Sequence, residues 1–328
     1  MAQGEIGTYL RFALQQIAAE SYLDGIDLSS PQRVIGQLQL GNNNITGDDP
    51  TALVLPGKTR MTRLQAEQFV QRYQVVDHHA NDATGFSATV LFDTETNSYT
   101  LSFRSSEYAI DNNGGDRSRD ILGADAEIKS SGFAFAQLVS MTRYFEDLQQ
   151  GKKSDGTVDP SLAAFFGNSQ NQLNVTGYSL GGHLATVFTE LYADRVAQTY
   201  TFNGAGRGEF AGLHFNSEAQ EADRIREMLA NLDARLRATD PLGSLFASGA
   251  TADIYTDERY LVALDDIRAR YPTSGTQSLP GLTGGLTRTD GAFGKIQQLF
   301  GHAQTGQDVE VVANSGVHAK AIQVLIEG

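Results

Sequence analysis

A short apolar run, Leu173-Asn174-Val175-Thr176, leads directly into Gly177-Tyr178-Ser179-Leu180-Gly181-Gly182-His183. A long Ala-, Leu- and Val-rich stretch, Leu180 to Arg195, leads directly out. Apolar run, glycine turn and helical stretch in unbroken succession read as strand, tight turn and helix. A second apolar run, Gln198 to Phe202, closed by Asn203-Gly204-Ala205-Gly206, reads as the next strand. Strand, helix and strand in that order require a crossover, so the two strands lie parallel and the chain belongs to the α/β class. Gly177 and Gly181 flank Ser179 as Gly-x-Ser-x-Gly. A turn in which a helix leaves the end of a strand at once has no room for Cβ atoms at those two positions, and it lifts the serine hydroxyl above the sheet.

The rest of the chain is consistent with one domain over 1–328 built around that unit. Tyr9 to Tyr22 has apolar residues at helical spacing, and Thr62 to Tyr73 is a second helix with Thr62 as its N-cap. Between them, Ser29-Ser30-Pro31 and Gly41-Asn42-Asn43-Asn44 read as loop. Residues 1–80 thus form a helical prelude. Gly85 to Phe92 and Ser98 to Arg104, joined by Asp93-Thr94-Glu95-Thr96-Asn97, read as a β-hairpin. Further helices are expected at Phe133 to Gln149 and Glu218 to Arg237, with linker at Gly151 to Pro160. A Gly/Thr-rich insertion covers about 273–294, followed by a strand at Val309 to Ala313 and a helix at His318 to Ile326.

Composition removes several functions. With 25 Lys+Arg against 39 Asp+Glu the formal charge is −14, which repels nucleic-acid backbones. There is no cysteine, so disulfides, thiolate metal sites and cysteine nucleophiles are excluded. No apolar run approaches a membrane span, and the start carries no basic segment followed by an apolar one. These features suit a bacterial protein secreted by a signal-peptide-independent route, favoured over a cytoplasmic one.

A serine on such a turn is a nucleophile if a base reaches it and an acid orients the base, with chain order Ser, Asp or Glu, His. The chain has six histidines. His78 and His79 precede Ser179, His183 packs behind the turn on the same helix, and His214 precedes the acid candidates. His318, after a strand and a loop and before a short helix, is the favoured base, with His302 as the alternative. Asp240, in Asp240-Pro241-Leu242-Gly243, is the favoured acid on a turn at an element's end. Asp233, Asp253 and Asp257 are its rivals, and turn capping is the plain alternative for Asp240.

Gly177 to Ala185 (GYSLGGHLA), with LNVT before it and TYTFNGAG after it, resembles the class 3 lipases and bacterial phospholipase A1-like proteins of the α/β-hydrolase fold. Leu101-Ser102-Phe103-Arg104-Ser105-Ser106 is similar to the family strand ending in Phe-Arg-Gly-Ser/Thr, with Ser105 standing where the family has Gly. Asp120 to Asp125 resembles its lid and post-lid segment, and Asp240-Pro241 its Asp-Pro acid motif. The resemblance spans roughly Gly85 to Leu242 plus His318. It implies a mostly parallel sheet flanked by helices, a Ser179-Asp240-His318 triad, and an oxyanion hole from Leu180 and from Ser106 or Ser105. The implied activity is carboxylic-ester hydrolysis of lipid substrates, with transient contact to a membrane or micelle surface and no nucleic acid. A polar segment, 107–120, is a candidate lid and equally a plain surface loop; its polarity leaves an esterase of small soluble substrates open. A non-catalytic lipid-binding or scaffold protein and an amide hydrolase are further alternatives. No cofactor is required. Asp48-Asp49 and Asp111 to Asp120 could take Ca²⁺ but lack the EF-hand spacing.

Overall fold

Six strands form one sheet in the computed structural model, which describes residues 3–42, 60–107, 116–275 and 293–301. They are β1 (Tyr73–His79), β2 (Ala88–Asp93), β3 (Ser98–Phe103), β4 (Leu173–Tyr178), β5 (Val196–Gly204) and β6 (Ile296–Gly301), adjacent in chain order. The pairs β1–β2 and β2–β3 are antiparallel, while β3–β4, β4–β5 and β5–β6 are parallel. Only β2 therefore runs against the others. His79, Phe103, Tyr178 and Gly204 all end their strands at one edge of the sheet. In parallel sheets that carboxyl edge is where ligands and chemistry collect.

Alternation along the strands divides two cores. Val75, Leu91, Tyr200 and Phe202 face α1 (Gln3–Glu20), α2 (Pro31–Leu40) and α3 (Arg63–Arg72). Val90, Leu101, Phe103, Val175 and Val196 belong to the larger core with α5 (Phe135–Gln149), α6 (Pro160–Phe166), α7 (Leu180–Leu191), α8 (Glu218–Thr239) and α9 (Glu258–Arg270). Neighbours such as Val90 and Leu91 fall on opposite sides because successive strand residues point to opposite faces. The short α4 (Asp125–Ser131) continues from a π-helical turn, Ser118–Ala124. Mixed α/β architecture with a helix-flanked sheet is thus as expected from the crossover unit.

Several elements differ from the sequence reading, for local reasons. Ser30-Pro31, read as loop, starts a helix, because proline at the first helical position gives up an N–H that is orphaned anyway. Pro160 does the same at α6, where the Asp159 carboxylate accepts the Ser161 N–H. Strand β1 follows α3 with no intervening breaker, so the prelude gives way to the sheet at Tyr73. α9 was not anticipated, nor was β6 just after the Gly/Thr-rich stretch. Of the candidate lid, Glu107 and 116–120 are described, the latter entering the π-helical turn. Most of the insertion, the strand at 309–313 and the helix at 318–326 lie outside the described residues.

Beneath the crossover, Arg207 is fully buried and pairs with Glu190 of α7 at 2.8 Å and Glu221 of α8 at 3.0 Å. Both carboxylates are themselves buried. Removing the cation leaves two buried carboxylates facing each other, which is far costlier than the net worth of the pairs. Arg207→Ala is expected to lower stability by about 3–5 kcal/mol in a urea unfolding series. A midpoint equal to that of the wild type would refute this role.

Candidate active site

Ser179 joins β4 to α7 with φ +51° and ψ −116°, a conformation that costs a non-glycine residue about 1–3 kcal/mol. The turn is held from outside. The Ser179 N–H donates to Phe202 O at 3.1 Å, and Ser179 O accepts from Ala205 N–H at 2.8 Å. The flanking glycines answer to contact as well as to turn shape. A Cβ on Gly181 would lie 2.3 Å from Phe103 O and 2.7 Å from Arg104 O, and one on Gly177 would lie 2.0 Å from Gly181 O. The ends of β3, β4 and β5 thus converge on one strained serine. Ser179 is partly exposed, and its hydroxyl forms no hydrogen bond among the described residues.

His183 lies behind this turn, as the sequence suggested. It is fully buried, with Nδ1 3.0 Å from Gly206 O, while its Nε2 accepts the Ala134 N–H at 3.2 Å. The neutral ring with its proton on Nδ1 satisfies both contacts. Burial, aided by the Arg207 charge, pushes the imidazole down to about 4. His183 therefore ties α7 to the loops before α5 and after β5.

Two sets of backbone donors approach Ser179. Leu180 N–H opens α7, where the first amides have no partner in the helix's own ladder. The second set follows β3. Arg104 N–H donates to Ser87 O at 3.1 Å, Ser105 N–H to the Glu20 carboxylate at 3.1 Å, and Glu107 N–H to Asp120 Oδ2 at 2.7 Å. Among the described residues, Ser106 alone in this run has an amide with no acceptor. Its hydroxyl is turned away to Asp125 Oδ2 at 2.9 Å. Of the two candidate donors, Ser105 N–H is thus occupied and Ser106 N–H has no acceptor among the described residues. Asp125 begins α4 right after Ala124, which packs against Leu180. Burial pushes the Asp125 carboxyl up to about 6.

The sequence reading missed Gln16, Glu20 and Asp125. Gln16 Nε2 donates to Phe103 O at 2.8 Å and to Glu20 Oε1 at 2.7 Å. In sequence their one trace is the spacing: Gln16 and Glu20 lie four apart, on the helix face that Ala13 and Ile17 share.

Asp240 follows α8, so it ends a helix and not a strand. Oδ1 accepts from the Ser244 hydroxyl at 2.9 Å, Oδ2 from Leu245 N–H at 3.0 Å, and these donors hold the carboxyl below its ordinary range despite its burial. It lines a cavity of about 680 Å³ with His79, Arg143 and Arg237, which Ser179, Leu180 and Ser106 do not line. These contacts are those of a turn cap, and each oxygen keeps a lone pair for a further donor. The rival acids are also occupied: Asp233 pairs with Arg143 and Arg237, while Asp253 and Asp257 cap helical turns. His302 and His318 lie outside the described residues.

Among the described residues, Glu107, Asp116 and Asp120 bring carboxylate oxygens within 4.8 Å of one another. Each oxygen set already serves the protein: Glu107 pairs with Arg104, Asp116 with Arg119, and Asp120 accepts from Glu107 N–H and Gln137. Burial, with Asp116 and Glu107 nearby, drives the Asp120 carboxyl well up. Compared with protein-family models, curated proteins and solved structures, the chain gives no match.

Two outcomes follow from this geometry. The His183 ring should show no titration by NMR between about pH 5.5 and 8, and its stabilising contribution, present above the ordinary histidine value near 6.5, should be lost as pH falls toward about 4. A midpoint near 6.5 would contradict the buried neutral ring. Asp240→Ala should lower stability by about 1–2 kcal/mol and kcat for an ester substrate by about 10⁴. Lowered stability with turnover within about threefold of wild type would instead leave Asp240 as a turn cap alone.

Proposed function

We propose that the chain is a serine carboxylic-ester hydrolase of the α/β-hydrolase kind, with Ser179 as nucleophile. The observation that carries this reading is the strained turn at Ser179, held by three strand ends, with a hydroxyl that no group among the described residues uses. A chain gains nothing structurally from holding a serine at φ +51° where glycine would be free of strain. Such strain is retained where it aims a reactive group.

In this mechanism the Ser179 hydroxyl attacks the ester carbonyl carbon as its proton passes to a histidine base, His318 in preference to His302. The carbonyl oxygen becomes an oxyanion, stabilised by Leu180 N–H, by Ser106 N–H and by the positive end of α7. The same histidine then protonates the departing alcohol. Water repeats the sequence on the acyl-enzyme and releases the acid. Asp240 is the acid that orients the base, its carboxylate also accepting from Ser244 and Leu245 within the 240–245 turn. The preference for lipid esters comes from the class 3 lipase-like GYSLGGHLA segment and its neighbours.

Chromogenic acyl esters of increasing chain length test the reading. Wild-type protein should hydrolyse at least the longer chains, and Ser179→Ala should lose about 10³-fold or more in kcat. Equal rates in both proteins would remove Ser179 from the chemistry, and a rate confined to the shortest esters would replace the lipid preference with a small-ester one.

A further inference from the structure

The N-terminal helix reaches the candidate site with more than apolar packing. Gln16 and Glu20 are buried on α1, four residues apart. Gln16 accepts from the Ser102 hydroxyl at 2.9 Å and donates to Phe103 O at 2.8 Å. Arg104, also buried, donates to Ser21 O at 2.8 Å and Ala19 O at 3.3 Å, at the carboxyl end of α1 where carbonyls lack helical partners. Glu20 then takes both donors of Ser105: the N–H at 3.1 Å and the hydroxyl at 2.6 Å. Four consecutive residues, 102–105, are thereby fastened to one helix.

Resting on the reading of Ser179 as nucleophile, we propose that Glu20 is a positioning residue for the oxyanion hole: by holding both donors of Ser105 it fixes the peptide that presents Ser106 N–H to the reacting carbonyl. A side chain at 105 must be accommodated and its hydroxyl satisfied, where a glycine would need neither. Glu20 does both with one carboxylate. On the other side, Asp125 and Asp120 hold the Ser106 hydroxyl and Glu107 N–H. Among the described residues the Ser106 amide is thus left without an acceptor, between anchored neighbours. Preorganised donors matter because they are not reoriented as charge develops. Glu20 does not touch substrate in this account and acts only through Ser105.

The test uses the full chain and two readouts. Amide hydrogen exchange over 101–107 reports positioning without any chemistry. The rate of covalent modification by an alkyl fluorophosphonate, whose phosphoryl oxygen occupies an oxyanion hole, reports the functional consequence. In Glu20→Ala, exchange over 101–107 should rise at least about tenfold while the far-UV spectrum is kept, and modification should slow by about 10–100-fold. With an ester substrate the loss should appear in kcat and not in KM. Glu20→Gln, whose amide oxygen still accepts the Ser105 N–H, should recover to within a few-fold of wild type in both readouts. Should Glu20→Ala fail to fold, Ser105→Ala isolates the hydroxyl contact and should slow modification by about three- to tenfold. A folded Glu20→Ala, or a Ser105→Ala, that exchanges and reacts as wild type does overturns the proposal. If wild-type Ser179 takes no fluorophosphonate, the hydrolase reading falls on its own, and the exchange result alone decides whether Glu20 positions the turn.

Discussion

The backbone contact between Gly181 and the carbonyls of Phe103 and Arg104 is the constraint on which the rest of this structure turns. It sets the distance between the first turn of α7 and the end of β3, and no residue with a Cβ fits there. At that approach Ser179 holds its positive φ, Leu180 opens α7, and Ser106 follows the end of β3. Strain at one residue is offset by hydrogen bonds of Ser179 with Phe202 of β5 and with Ala205 just after it, and by the buried His183 behind it. The strained serine is the product of a rigid frame, not of a flexible loop.

That frame is polar to an unusual depth. Gln16, Glu20, Arg104, Ser105, Glu107, Asp120 and Asp125 are all wholly or mostly buried around the end of β3. Buried polar groups are costly unless satisfied, and here they satisfy one another and the backbone. Burial pushes the Glu20 carboxyl up to about 7 and that of Asp125 to about 6, even with hydroxyl and amide donors beside them. Carboxyls raised in this way favour the folded state most below their unfolded values, and the advantage fades as pH climbs through the raised ones. The clamp is therefore tuned to hold direction, since an apolar core would contribute more stability and less orientation.

Much of this was legible in the sequence because it is written in contiguous residues. The strand, Gly-x-Ser-x-Gly turn and helix of Leu173 to Leu191 announce the crossover, and Asp93 to Asn97 announces the hairpin. The place of His183 behind the turn follows from its spacing on α7. Less legible were features that depend on distant partners. Glu20 lies 85 positions from Ser105, and nothing near Glu20 indicates that the N-terminal helix supplies a ligand for the turn. Asp240 is a further case. Its Asp-Pro context suggested a reactive acid but not that Ser244 and Leu245, four and five residues on, donate to its two oxygens. Short-range donors of that kind are invisible until the turn is built.

Ester hydrolysis at Ser179 requires its hydroxyl to be activated and not merely accessible. Intact-mass measurement after brief exposure to an alkyl fluorophosphonate, followed by peptide mapping, addresses it without knowledge of the substrate. The account predicts one adduct per chain, located on the peptide containing Ser179 and absent from Ser179→Ala. No adduct on the folded wild type, or an adduct that persists in Ser179→Ala, would contradict it.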